Sequence, residues 1–262
     1  MRTFFLFMGF VVPAILLLMT DASPAVDTTP VLTSENQWDS DACGTGLTLS
    51  KGLIAEYTGN NTGFCTVFAK EAIPNRESGI FYFEVKISPR TDENGEIVDS
   101  SESGYVSIGL ATKEMPLDEA VGWFVDTYGY RDTGGITGLG VHEWFDENDV
   151  VGCGVNLKNR QVFFTKNEEL IATTKLSDNV TVDQLFPCVS MYHTGSKIKA
   201  NFKLNDFKFD IKNGFRKWKS ELGQTKPNYS DDEKLKIVKK LMRMKIDYSA
   251  VEEIQKPANK RN

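Results

Sequence analysis

The strongest strand pattern in the chain is GIFYFEVKI, residues 79–87. β-Branched and aromatic residues dominate this run, and Phe81 and Phe83 recur at every second position. Val162 and Phe164 repeat the same alternation in a later run. Because successive side chains of a strand point to opposite faces, the alternation predicts strands with one buried and one exposed face.

Runs of the same kind recur from residue 38 to about residue 211, and clusters of Gly, Pro, Asn and Asp separate them. Such clusters are typical of turns, whereas the runs are rich in Val, Ile, Phe, Tyr and Thr. We therefore predict an all-β domain over residues 37–211, built as two antiparallel sheets packed face to face. The further runs are GYVSIGLAT (104–112), DVVGCGVNL (149–157), QVFFT (161–165), FPCVSMY (186–192) and KIKANFKL (197–204).

The charges divide the chain into an acidic body and a basic tail. Residues 1–210 carry 16 Lys and Arg against 29 Asp and Glu, whereas residues 211–262 carry 14 against 7. The composition, 40% apolar and 25% charged, is that of a folded globular protein. An acidic body does not attract phosphate backbones or anionic lipid, so we expect no nucleic acid among the partners.

The N-terminus has the pattern of a secretory signal peptide over residues 1–22. Arg2 provides a positive start, an uncharged apolar run extends over residues 4–19, and small residues follow at Ala22 and Ala25. The run is short for a bilayer span, and the alternative is an uncleaved signal anchor. We predict cleavage after Ala22 or Ala25, a flexible leader at residues 23–36 and no membrane span in the mature chain.

The four cysteines show no Cys-x-x-Cys motif and no Cys/His spacing typical of a metal site. Cys65, Cys153 and Cys188 lie in apolar strand-like runs, where a free thiol behaves as a small buried hydrophobe. We therefore predict reduced thiols and no metal ion. Reduced thiols in an exported protein favour a working compartment that is reducing.

A set of motifs, taken together and in this order, resembles a SPRY domain and covers about two thirds of the chain. Within that family the motifs are most similar to those of the Ran-binding protein of the microtubule-organising centre. The resemblance implies a bent, concanavalin-like β-sandwich that binds proteins and needs no cofactor. The motifs are Trp38-Asp39, 78–85, Ile108-Gly109-Leu110, Gly122-Trp123, Tyr128-Gly129-Tyr130, 149–154, 163–167, Phe186-Pro187 and Ala200-Asn201-Phe202.

The chain departs from the family pattern in three turns, which are at Glu168, at Lys203 after Asn201-Phe202, and at residues 131–135. The family usually has Gly after the Asn of the 163–167 motif, whereas this chain has Glu168 after Asn167. If the turn requires a positive φ at that position, we expect it to be strained or reshaped.

A SPRY domain behind a signal peptide resembles the SPRYSEC effectors that plant-parasitic cyst nematodes secrete into host cells. The resemblance implies a secreted effector that acts in the host cytoplasm or nucleus and alters host defence or signalling. Its partners would be host proteins, including immune receptors or their co-factors. The alternatives are a ubiquitin-ligase or cytoskeletal adaptor, which the signal peptide disfavours, and an extracellular glycan-binding sandwich, which free thiols disfavour.

Enzyme signatures are missing from the sequence. It contains no P-loop, no G-x-S-x-G, no H-E-x-x-H and no G-x-G-x-x-G, and its two histidines are His142 and His193. We therefore predict a protein without catalytic residues.

In SPRY relatives, loops at one end of the sandwich form the ligand surface, and the matching segments here supply the candidate partner-binding residues. These segments offer Tyr, Trp, His and Arg, residue types that are enriched at binding hot spots. Two alternatives stay open, namely that the aromatic residues cover the core and that Trp123, Trp144 and Tyr130 stack on a sugar. The candidates are Tyr57, Asn60, Tyr105, Trp123, Tyr130, Arg131, Trp144, Pro187, Met191, Tyr192 and His193, with Pro187 affecting the stiffness of the rim.

The basic tail, residues 212–262, is predicted to be helical and separable from the sandwich. A capping box spans Ser230 to Glu233, and an amphipathic apolar stripe follows it. We expect its lysines to face solvent, with nuclear import, anionic lipid or a partner helix as alternatives. The tail weakly resembles the LisH helices that follow SPRY domains in Ran-binding relatives, which implies weak self-association.

Overall fold

The computed structural model describes residues 31–32, 35–60, 63–92, 94–97 and 106–215. Fifteen β-strands lie in this part of the chain, and helix is limited there to short turns, so the all-β prediction is confirmed. The strands are β1 (Val31–Leu32), β2 (Trp38–Cys43), β3 (Leu47–Ser50), β4 (Ile54–Tyr57), β5 (Cys65–Ala69), β6 (Ile80–Ile87), β7 (Val106–Ala111), β8 (Tyr128–Arg131), β9 (Gly135–Ile136), β10 (Gly140–Val141), β11 (Val150–Asn156), β12 (Gln161–Lys166), β13 (Glu169–Lys175), β14 (Phe186–Met191) and β15 (Lys197–Asn201).

The strands form two sheets. Sheet 1 has the order β13-β12-β11-β6-β15-β4-β3, with β1 joined to β6, and sheet 2 has the order β10-β9-β8-β7-β14-β5-β2. All neighbouring strands are antiparallel except β1 and β6, which run parallel. Buried side chains of both sheets, including Phe83 and Ile108, share one hydrophobic core. The predicted sandwich is therefore confirmed.

Strand β6 differs from its predicted pattern because both of its faces are buried over most of its length. Phe83 is directed to the core between the sheets, whereas Ile80 and Tyr82 belong to a second apolar cluster on the outer face of sheet 1. The prediction of an exposed face is wrong for Ile80, Tyr82 and Glu84 and holds at Lys86, which is exposed.

The cover of this outer face is residues 204–215, here called the covering segment. The ring of Phe207 meets that of Tyr82 edge-on at 4.8 Å, and the ring of Phe215 meets that of Phe163 at 4.9 Å. Ile211 is also buried in this cluster. The segment follows β15 and lies more than a hundred residues beyond β6 in the chain, so the strand pattern by itself could not reveal it.

These contacts correct both ends of the predicted domain. Ile211 and Phe215 pack together on sheet 1, so the boundary placed between residues 211 and 212 cuts through one cluster. Val31 and Leu32, inside the leader predicted to be flexible, pair with Ile80 and Phe81 of β6. The predicted signal peptide and the tail beyond residue 215 lie outside the described residues.

The turn between β12 and β13 accommodates Glu168 without a glycine. Lys166 pairs with Glu169, which leaves a two-residue loop, and the positive φ of 55° falls on Asn167. Asn tolerates the left-handed region better than most residues. The Asn167 side chain also accepts a hydrogen bond from the Val150 amide at 3.1 Å. The turn is therefore reshaped so that Asn167, and not Glu168, takes the unusual conformation.

All four cysteines are free thiols, and they differ in exposure. Cys153 and Cys188 are buried, whereas Cys43 and Cys65 are half-buried. Burial raises the pKa of Cys43 to about 11, and it also raises the pKa of Cys153 and of Cys188 well above the ordinary range. Since the thiolate is the reactive form, these thiols are poor nucleophiles at neutral pH.

Candidate partner-binding surface

Five side chains form a continuous cluster, here called the aromatic patch, where the loops of sheet 2 meet. The ring of Phe64 lies 5.2 Å from that of Trp123 and 5.0 Å from that of Tyr192, in both cases edge-on. The Tyr192 ring contacts that of His193 at 4.8 Å, and the Arg131 guanidinium lies 5.5 Å from the Trp123 ring centre. Edge-to-face pairs contribute about 0.5–1.5 kcal/mol each beyond burial, so the rings hold one another in place.

The patch is accessible as well as ordered. Trp123 is 37% exposed, and the other four side chains of the patch are half-buried. Next to it, Val125 is 71% exposed, which is unusual for a large apolar side chain. Half-exposed Trp, Tyr and Arg side chains are the types that dominate protein-binding hot spots.

The loop that carries Trp123 is held to the sheet by buried hydroxyl groups. The hydroxyl oxygens of Thr66 and Ser190 lie 2.6 Å apart, and Thr66 donates to the Glu119 carbonyl at 2.6 Å. The Ser190 oxygen accepts from the Val121 amide at 2.9 Å. Removing one buried partner of this kind costs about 1–3 kcal/mol, because a polar group loses its hydrogen bond. Strands β5 and β14 therefore set the position of Trp123.

Two glycines allow the same loop to approach the sheet. A Cβ at Gly129 would lie 2.6 Å from the Gly122 Cα atom, and one at Gly109 would lie 1.9 Å from the Tyr128 carbonyl oxygen. Neither glycine can be replaced without a shift of the backbone. These glycines stand in the Ile-Gly-Leu and Tyr-Gly-Tyr motifs, so those motifs shape the scaffold beneath the patch.

Several predicted site residues are buried and cannot contact a partner directly. Tyr57 is 1% exposed and donates its hydroxyl to the Gly63 carbonyl, and Tyr130 is fully buried and donates to the Glu143 carbonyl. Met191 lies in the core between the sheets. For Tyr57, Tyr130 and Met191 the alternative of a core role is the correct one, because the inward-facing positions of their strands place them there.

Pro187 is also buried, and it does not lie at the rim. It pairs with Leu110 at the start of β14, whereas Tyr192 follows the other end of that strand. At about 3.4 Å per residue, roughly 17 Å separates Pro187 from the patch. The predicted influence of Pro187 on the stiffness of the binding surface is therefore wrong in its location.

Two further candidates lie outside the patch contacts. Trp144 is half-buried, and its ring lies 5.9 Å from the Lys166 ammonium group of the β12–β13 hairpin. Because Tyr130 is buried, it cannot join Trp123 and Trp144 in a sugar-stacking platform. Asn60 is exposed, and the neighbouring Gly59 carbonyl accepts a hydrogen bond from Thr194. Tyr105 lies outside the described residues.

Phe64 is the patch residue that the sequence reasoning missed, although it contacts both Trp123 and Tyr192. It stands between Gly63 and the start of β5. The sequence signal that could have identified Phe64 as a surface residue is its position just before β5, outside the alternating part of the strand.

The buried Glu84 carboxylate is explained by structure and needs no catalytic role. Its oxygens accept hydrogen bonds from the amides of Lys208 and Phe209 at 2.9 Å and from the Tyr82 hydroxyl at 2.9 Å. Burial raises the pKa of Glu84, and these donors partly oppose the rise. Within the described ranges, no group of three His, Cys, Asp or Glu side chains is arranged to hold a metal ion. The same ranges include no helix with the length and apolar character of a membrane span.

The structure is thus a β-sandwich with an aromatic patch at its loops, and the comparisons with known proteins specify the type of sandwich. Residues 80–205 match the model of the SPRY domain. Ran-binding protein 9 of Xenopus laevis is 36% identical over 152 residues, 55% of this chain and 25% of that protein. Ran-binding protein 10 of Danio rerio is 33% identical over 171 residues, 62% of this chain and 26% of that protein.

The chain thus contains a SPRY domain similar to those of Ran-binding proteins 9 and 10, and it spans about a quarter of the length of these relatives. A crystal structure of a human SPRY domain matches 61% of this chain and 96% of its own, with 22% identity and a TM-score of 0.49. The SPRY domain is a module for protein–protein interaction, so residues 80–205 carry such a module.

Proposed function

We propose that this chain is a secreted effector that binds a host protein through the aromatic patch and alters host defence or signalling. The signal-peptide pattern of residues 1–22 supports export, and the SPRY domain supports protein binding. The free thiols support a working site in the reducing host cytoplasm or nucleus. Host immune receptors and their co-factors are the proposed class of partner.

The observation that carries the binding proposal is the patch itself. Four rings and one guanidinium, drawn from three separate segments, contact one another while remaining partly open to solvent. Their supporting loop is tied down by buried hydrogen bonds. A surface that is ordered before binding loses little conformational entropy on binding, which favours affinity.

The experiment is affinity purification of the chain from residue 26 onwards out of host-type cytosol, followed by binding measurements with the purified partner. Trp123→Ala and Tyr192→Ala should each weaken binding by about 2 kcal/mol, or about thirtyfold. Val141→Ala, at a 55% exposed apolar residue outside the patch, is the matched control and should bind normally. Thermal melts of all variants separate lost contacts from lost folding.

If both patch variants stay folded and bind the partner as tightly as the unchanged chain does, the patch is not the binding surface. If export leaves the apolar N-terminus in place and no host protein depends on the patch, the effector role is rejected.

A further inference from the structure

A groove of about 690 Å³ crosses the outer face of sheet 1, on the other sheet from the aromatic patch. Strands β6, β11 and β15 contribute to it, with Leu53 and Val150 as half-buried apolar parts of its lining. Five exposed lysines also line this lysine groove, and they are Lys51, Lys86, Lys199, Lys203 and Lys208. The groove thus concentrates positive charge on a body whose overall balance is negative.

Two of these lysines oppose each other at a cost to the fold. Lys86 of β6 and Lys199 of β15 are direct cross-strand partners in the register of the sheet. Side chains at such positions have Cβ atoms about 4.5–5.5 Å apart, and like charges there are destabilising. Among the described residues, neither ammonium group forms an ion pair.

Strand β15 also carries a lysine whose cross-strand partner has the opposite charge. Two residues away on β15, Lys197 lies opposite Glu56 and forms an ion pair with it at 2.8 Å. The Lys86–Lys199 pair lies next to this ion pair and, unlike it, places two like charges opposite each other, which is unfavourable for the stability of the sheet. Unfavourable pairs of this kind are expected where a surface is kept for binding.

The carboxylates of the groove do not neutralise the lysine pair. Glu84 is 2% exposed, and backbone amides and the Tyr82 hydroxyl already occupy its oxygens. Glu35 and Asp206 are the other acidic residues of the lining, against five lysines. Of those lysines, Lys208 donates to the Asn167 side chain at 2.8 Å.

We propose that the lysine groove binds an acidic peptide segment of a partner protein, with two neighbouring carboxylates placed on Lys86 and Lys199. An apolar side chain of the segment would lie on Val150, the cross-strand partner of Lys86. The side-chain NH2 group of the half-exposed Asn201 is available to the backbone of the segment, whereas its carboxamide oxygen accepts from the Lys203 amide at 2.9 Å. The site is independent of the aromatic patch and of the identity of the patch's partner.

A peptide fits the groove better than a nucleic acid does. The body of the chain is strongly acidic, which repels a long polyphosphate. Single-stranded nucleic acid needs exposed aromatic rings for base stacking, and the aromatic residue of this lining, Phe202, is 3% exposed. A short segment with a few carboxylates carries much less charge than a polyphosphate, so the acidic body repels it less, and it does not require base stacking.

The test measures fluorescence anisotropy of a labelled Asp-Glu-Leu-Glu-Asp peptide with the full chain. The double variant Lys86→Gln/Lys199→Gln should weaken binding by about tenfold. Lys197→Gln is the matched control, because that lysine lies on the same strand but is paired with Glu56. The control should retain the affinity of the unchanged chain, and an Asn-Gln-Leu-Gln-Asn peptide should not bind.

The double variant relieves repulsion, so it should melt no lower than the unchanged chain, and a folding failure cannot imitate the expected result. Absence of saturable peptide binding up to about 1 mM overturns the proposal. If the double variant binds the peptide as tightly as the unchanged chain does, the peptide binds to the basic tail, which also overturns the proposal. If a single-stranded DNA oligonucleotide binds more tightly than the peptide, and the double variant weakens that binding, the ligand of the groove is a nucleic acid and the peptide proposal is wrong.

Discussion

Replacing Phe209 with Ala tests whether the covering segment belongs to the core of the domain. The Phe209 side chain is 1% exposed, and its ring centre lies 5.8 Å from that of Tyr82 on sheet 1. The backbone closes over it from the other side, since a Cβ at Gly214 would lie 2.2 Å from the ring. The ring is therefore enclosed between the sheet and the segment that carries it.

The expected loss follows from this enclosure. Removing a fully buried phenyl ring costs about 3–5 kcal/mol, which combines lost transfer free energy with the free energy of the cavity left behind. Tyr82 is itself 1% exposed, so the site has little room to collapse and the upper part of that range applies. For a domain of this size, the melting temperature should fall by about 6–20 °C.

The assay is thermal and urea unfolding followed by circular dichroism. Leu204→Ala is the matched control, because that residue lies in the same segment and is 43% exposed. The control should change the free energy of unfolding by less than about 0.5 kcal/mol. If Phe209→Ala is no more destabilising than the control, the covering segment does not bury sheet 1 and the corrected domain boundary is wrong.

Four further predictions concern the ends of the chain and its buried groups. Truncation after Leu222 should leave cooperative unfolding intact. Truncation after Asp206 should lower the free energy of unfolding in urea by at least about 5 kcal/mol, because the cluster on sheet 1 loses its cover. Equal free energies of unfolding for the two truncated chains would contradict this. Because burial raises the Glu84 pKa above its ordinary 4.5, the folded state holds that proton more tightly than the unfolded state does. The free energy of unfolding should therefore fall as the pH rises from about 4.5 through the folded-state pKa and then level off, and Glu84→Gln should flatten this part of a urea series between about pH 4 and pH 7; an unchanged slope would remove Glu84 as its source. Alkylation in urea without reductant should modify all four cysteines, and without urea Cys153 and Cys188 should react most slowly; a protected pair in urea would show a disulfide. N-terminal sequencing of the exported protein should begin after Ala22 or Ala25, and recovery of Met1 would contradict cleavage.

The sheets and their inner faces could be predicted from the sequence because strand alternation is a local property. Phe81, Phe83 and Phe164 are directed to the core as their spacing indicates. The motifs around Gly109 and Gly129 likewise indicated the family, since those positions tolerate no side chain whatever the surrounding loops contain.

The outer faces could not be predicted in the same way. Whether Tyr82 faces solvent depends on Phe207 and Phe209, which return to sheet 1 from a distant part of the chain. The candidate site shows the same limit, since Tyr57 and Tyr130 are as aromatic as Trp123 and Tyr192 but lie on inward-facing strand positions. Composition identified the residue types suited to binding, and only the packing of separate segments decided that Phe64, Trp123 and Tyr192 meet at the surface. The physical reason is that periodicity is set by neighbours in sequence, whereas exposure is set by whatever part of the chain packs on top.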